Sequence, residues 1–217
     1  AELACKSSQN ILAISEFLKD KCKNNFGKEA TVISNGINAD LLYNNNVQTN
    51  KVKRITMIFR DNYAKGDFIL TEILKQLTLK DYELEINIVH MADIIFPINN
   101  NPKVKINAIK GPVTRRQIST LLNGSDIYVD ASLMEGFGLT ALESMAAGVV
   151  PICINDMAFI DMVPKKSLFN NQNEYINKLI TFSKDENLRK EYKIEIRKKA
   201  EEYSSKAYAK KVLNVYN

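Results

Sequence analysis

A parallel α/β sheet covered by helices on both faces, with a helical C-terminus, is the fold this chain predicts, and three observations predict it. Short runs rich in Ile and Val alternate with stretches of helical periodicity over most of the 217 residues. The runs are about five or six residues long, as expected for strands buried on both faces. Beyond about Gln172 no convincing strand recurs. Such alternation builds βαβ units joined by right-handed crossovers.

In chain order, strands are expected at Ile11–Ser15, Thr31–Ser34, Arg54–Phe59, Leu84–Val89, Val104–Ile109, Ile127–Ala131 and Val149–Ile154. Helices are expected at Glu16–Asn25, Lys65–Leu77, Thr114–Asn123, Gly138–Ala147 and Ala158–Val163. Residues 172–217 read as two or three helices, the last being Ser204–Tyr216, and their many lysines and glutamates form a solvated face. The polar, patternless run Tyr43–Asn50 reads as a linker, and Ile98–Pro102 as a surface loop. There is no internal repeat.

Composition narrows the function classes. With 45% hydrophobic and 25% charged residues, the chain is an ordinary soluble sequence able to bury a core in one domain, or one domain plus a fragment. Thirty basic against 25 acidic residues leave a net charge of +5. The lysines are dispersed and no arginine–aromatic motif accompanies them, which argues against nucleic acid. No polybasic block is present either, so membrane contact is expected to be peripheral at most. Cys5, Cys22 and Cys153 share no metal-ligand spacing and read as reduced thiols of a cytoplasmic protein. No apolar stretch reaches the ~18–20 residues of a membrane span, and the start lacks a signal-peptide core.

The chemistry concentrates in Glu135-Gly136-Phe137-Gly138-Leu139-Thr140-Ala141-Leu142-Glu143. This run leaves the carboxyl end of a parallel strand, where open α/β sheets bind ligands, and turns through two glycines into a helix. The amides of Gly138, Leu139 and Thr140 would point at a ligand, and the helix dipole adds about half a positive charge there. At 100° per residue Leu139, Leu142, Met145 and Ala146 share an apolar arc, and Glu143 lies beside it. A carboxylate so placed is partly buried and needs a partner such as a pair of ribose hydroxyls. Glu135, on the loop, is placed to accept hydrogen bonds from a hexose. Arg60 follows a strand, and Lys65 heads the next helix at the same sheet edge. Two such cations can neutralise a pyrophosphate leaving group, and the sequence has no Asp-x-Asp pair to hold a metal. A nucleoside-diphosphate sugar, bound without metal or other cofactor, satisfies all of these groups.

These residues resemble the C-terminal, donor-binding half of a GT-B-fold glycosyltransferase of family 4, the retaining "glycosyltransferase group 1" proteins. The family's Glu, seven residues, Glu element is matched by Glu135 and Glu143 within EGFGLTALESMAAGVVPI. Its Arg, four residues, Lys-Gly element is matched by Arg60 and Lys65-Gly66, and its hinge by Ser34-Asn35-Gly36-Ile37. GSDIYVDASLMEGFG is similar to the family's strand into the loop. Phe59 replaces a frequent glycine, and Asn38 a frequent aspartate. The resemblance implies one Rossmann-like half of a GT-B fold. Residues 1–44 would be a strand–helix–strand remnant of the acceptor domain plus the hinge, 45–203 the donor domain, and 204–217 a crossover helix.

The resemblance also implies roles. Glu135 would hold the sugar hydroxyls and Glu143 the ribose. Arg60, Lys65 and the amides around Gly138–Thr140 would hold the diphosphate, and Gly136, Phe137, Gly138, Leu139 and Thr140 would all line the substrate site. The loop from Gly111 to Val113 would meet the base, although Pro112 and Arg115-Arg116 match no family pattern closely. An acceptor domain, acceptor subunit or second copy would complete the cleft, and the chain alone would bind a UDP- or GDP-sugar and transfer little. Two rivals use the same residues. Gly136, Gly138 and Ala141 fit G-x-G-x-x-A with Asp156 beyond a strand, the fingerprint of an NAD-binding oxidoreductase. An inactive nucleotide-sugar-binding scaffold is the other. His90, the single histidine, is expected to be structural.

Overall fold

The computed structural model describes residues 7–8, 10–38, 42, 53–59, 63–78, 83–91 and 101–216. Its centre is a six-stranded, wholly parallel sheet. The strands are β3 (Lys53–Phe59), β4 (Leu84–His90), β5 (Val104–Lys110), β6 (Ile127–Asp130), β7 (Val150–Ile154) and β8 (Leu168–Phe169). They lie in the order β5-β4-β3-β6-β7-β8. Strand order therefore reverses between β3 and β6, and the crevice outside their carboxyl ends is where a sheet of this kind admits a ligand. A separate two-stranded parallel sheet, β1 (Leu12–Ala13) and β2 (Thr31–Val32), is connected by helix α1 (Glu16–Phe26).

Burial explains why these runs are strands. Ile55 and Met57 of β3 face Ile86 and Ile88 on one side and Ile127 and Val129 on the other, all removed from solvent. Helices flank the sheet: α2 (Asp67–Thr78), α3 (Arg115–Asn123), α4 (Leu139–Ala147), α5 (Phe159–Met162), α6 (Gln172–Lys184), α7 (Glu186–Glu201) and α8 (Ser205–Tyr216). Helix α2 buries Leu70, Ile73, Leu74 and Leu77, a stripe at helical spacing. Every residue from Ala141 to Ala147 is buried, so α4 is an interior helix, packed against α3 and α7. Stacked Phe182 and Tyr192, 5.3 Å between centroids, join α6 to α7.

Element ends depart from expectation where caps and close contacts take over. The helix expected at Lys65–Leu77 divides into a 3-10 turn, Tyr63–Lys65, and α2, with Gly66 between them at φ +67°. A Cβ on Gly66 would stand 2.0 Å from the Ala131 carbonyl oxygen, so the chain passes β6 where only glycine fits. Thr114 and Gln117 form a reciprocal capping box ahead of α3, which starts one residue later than expected. The two-residue strand β8 is an addition, since Leu168 and Phe169 stand in no longer apolar run. The linker Tyr43–Asn50 and Ile98–Asn100 lie outside the described residues, while Asn101 and Pro102 are irregular as expected. Ile37, in the segment read as a hinge, docks on the start of α8. Ile37 N donates to Tyr203 O at 2.9 Å, and Ser205 N donates to Ile37 O at 2.8 Å.

Candidate active site

Two backbone contacts bring the site together at the β3/β6 crevice. The amides of Leu133 and Met134 both donate to the Ala64 carbonyl, at 2.8 and 3.0 Å. That staples the turn after β3 to the loop after β6. Lys65 Nζ then lies 2.6 Å from Glu135 Oε2, with both side chains largely buried. The other oxygen, Glu135 Oε1, accepts from Phe137 N at 3.3 Å and Gly138 N at 3.1 Å. Burial pushes the Glu135 carboxyl up, but the Lys65 ammonium and the two amides outweigh it and hold it below the usual carboxylate range. Sugar and diphosphate were assigned separate ligands in the sequence. In the structure Glu135 itself engages Lys65 and the Gly138 amide. The N–H groups of Leu139 and Thr140, in the first turn of α4, have no acceptor within the helix.

These groups line a cavity of about 260 Å³ with Tyr128, Asp130 and Ser132. Asp130 was missed in the sequence. It accepts from Tyr128 Oη at 3.0 Å and from Ser132 N at 3.0 Å, and the Ser132 hydroxyl also reaches it. An aspartate ending an otherwise apolar strand is the signal that marks it. Burial, and then the Asp130 charge, push the Tyr128 phenol well above its ordinary value.

Glu143 is 8% exposed, as its helical phase predicts. Burial raises its carboxyl, opposed by Arg115, whose Nε lies 3.3 Å from Oε1. Glu143 opens on a second cleft of about 460 Å³, shared with Ile37, Asn38, Arg115, Arg116 and Thr120. Gly111 and Val113 line neither cavity. Gly111 N is held by His90 O at 2.8 Å, and the loop leads through Thr114 into Arg115. Buried His90 ends β4. Leu139, placed on the apolar arc by sequence, is instead 39% exposed because the first turn of α4 borders the cavity. Arg60 and the Phe59 side chain lie outside the described residues.

The dinucleotide fingerprint fares poorly. Five residues, Ala131–Glu135, separate β6 from its first glycine, and Asp156 turns back to accept from Met157 N at 2.7 Å. Among the described residues no three His, Cys, Asp or Glu side chains converge as a metal-ligand set, and no helix is long and apolar enough to cross a membrane.

Comparison with known proteins sets this geometry in context. The chain is 24% identical over 194 residues to an uncharacterized glycosyltransferase of Methanocaldococcus jannaschii, covering 86% of this chain and 53% of that protein. Among solved structures it is similar to TarM of S. aureus, crystallised with UDP, alpha-GlcNAc-glycerol and Fondaparinux. The TM-score is 0.79 at 17% identity over 99% of this chain and 45% of that one. It is likewise similar to Anabaena HepE in complex with UDP and glucose, with a TM-score of 0.80 at 15% identity over 99% of this chain and 64% of that one. The chain thus shares their fold and spans about half the length of the archaeal relative and of TarM. Residues 100–199, which carry Glu135, Glu143 and Arg115, match the family of Glycosyl transferases group 1.

Proposed function

We propose that this chain is the donor-binding half of a retaining, metal-independent glycosyltransferase of family 4, taking a nucleoside-diphosphate sugar and passing its hexosyl group to an acceptor held by another domain or subunit. One observation carries the reading. A Lys65–Glu135 ion pair stands against the head of α4 at the reversal of strand order. The diphosphate would lie over the amides of Leu139 and Thr140, with Lys65 and Arg60 balancing the charge that develops as the glycosidic bond breaks. Glu135 would grip the sugar hydroxyls. Glu143, beside Arg115, would accept from the ribose, and the Gly111–Val113 loop would border the base. Retention would follow from front-face attack, the leaving phosphate taking the acceptor's proton, so that no side chain serves as nucleophile.

The family match over residues 100–199 and the UDP bound by TarM and HepE support this reading. A thermal-shift panel of UDP- and GDP-sugars tests it. A donor at 100 times its Kd stabilises the protein by about 2.7 kcal/mol, and no shift with any of them overturns the assignment. Glu143→Ala should weaken every ribose-bearing ligand about tenfold, since its hydrogen bonds to the ribose are lost.

A further inference from the structure

The β1–α1–β2 unit stands apart from the main sheet, yet it reaches into the glycine loop. Ser15, 3% exposed, donates its hydroxyl to the Gly136 carbonyl at 2.7 Å. The same oxygen accepts from Leu18 N at 3.2 Å and caps α1. Leu18 presses on the loop as well, since a Cβ on Gly136 would meet its Cδ1 at 3.3 Å. Ile14 and Asn35 complete the wall of the cavity that holds Lys65 and Glu135.

The Gly136 carbonyl and the Phe137 N–H are opposite ends of one planar peptide group. Ser15 holds the oxygen end and Glu135 accepts from the nitrogen end. A hydrogen bond to the carbonyl also polarises that peptide and strengthens its N–H as a donor. We propose that Ser15 is a positioning residue of the donor site, fixing the Gly136–Phe137 peptide so that its N–H meets the Glu135 carboxylate at the sugar end of the pocket. The N-terminal unit thereby sets the geometry of a loop 121 residues away in the chain. The sugar-end assignment rests on the function proposed above, but the orientation of the peptide does not.

Two measurements separate these claims. Amide exchange in the ligand-free 217-residue chain should show Phe137 and Gly138 opening about five- to tenfold faster in Ser15→Ala, the loss expected for one hydrogen bond. Ser15→Thr, which keeps the hydroxyl, should restore protection. Faster exchange confined to Leu18 and Lys19 would mean that Ser15 only caps α1, and would overturn the proposal. In binding, Ser15→Ala should lose about five- to tenfold in affinity for UDP-glucose or GDP-mannose while holding UDP or GDP unchanged. Equal losses for both would overturn the sugar-end assignment. A wild-type chain that binds none of these probes would sink the proposed function, while the exchange result would still decide the role of Ser15.

Discussion

Glu135 and Glu143 sit on one short segment and are pushed in opposite directions. Glu135 is held below the ordinary carboxylate range because Lys65 and two amides outweigh its burial. Glu143 is held above it because burial outweighs a single exposed arginine. The consequences for stability differ in sign. Ionised Glu135 contributes stability that is present above the unfolded carboxylate value, about 4.3. That stability is lost as pH falls through its lowered folded value. The protonated form of Glu143 contributes stability that is full below about 4.3 and lost as pH rises through its raised folded value. Denaturant titrations across pH should therefore show Glu135→Gln destabilised at neutral pH, with the gap to wild type closing on acidification. Glu143→Gln should be as stable as wild type in acid and more stable at neutral pH, despite binding donors worse. A gain for both variants at neutral pH, or a loss for both, would contradict the pattern.

At the scale of elements, the site depends on two backbones crossing at close range. Gly66 passes the Ala131 carbonyl where no side chain fits, and Leu133 and Met134 share the Ala64 carbonyl. These contacts, and not the helix propensity of the Lys65 segment, place the ammonium beside Glu135. Gly66→Ala meets both a left-handed φ and a steric overlap, so a loss of about 1–3 kcal/mol is expected in urea unfolding. Donor affinity should fall in parallel as Lys65 is displaced. A variant with native stability and native binding would show that the crossing is not what sets the pair. Helix α4 owes its place to burial from Ala141 to Ala147, and its N-terminal turn faces the crevice outside β3 and β6.

At the scale of the molecule, Lys65, Glu135 and the head of α4 gather at one crevice while Glu143 opens on a second, and the chain covers about half of its archaeal relative. Helix α8 is pinned to Ile37 at its start but leaves Tyr208, Leu213 and Val215 exposed, Leu213 at 61%. Purified 217-residue protein is expected to bind a nucleotide sugar yet to give no measurable transfer in an acceptor-panel assay. Turnover by this chain alone would overturn the proposal that another domain or subunit must hold the acceptor. The order of strands was legible only as alternation. A reading of βαβ units predicts a parallel sheet but not the reversal between β3 and β6, because which edge a crossover joins is settled by packing.

What the sequence determined by itself is whatever depends on local phase. Short apolar runs marked most strands, helical periodicity marked most helices, and the angular position of Glu143 relative to Leu142 and Met145 foretold its burial. The short strand β8 escaped because Leu168 and Phe169 stand in no longer apolar run. Tertiary structure alone decided the pairings: Lys65 with Glu135 across 70 residues, Arg115 with Glu143 across 28, and Ser15 with Gly136 across 121. The physical reason is that a residue pattern states how a side chain is oriented about its own helix or strand. Which loop it then meets is fixed only when distant elements bury their apolar faces together.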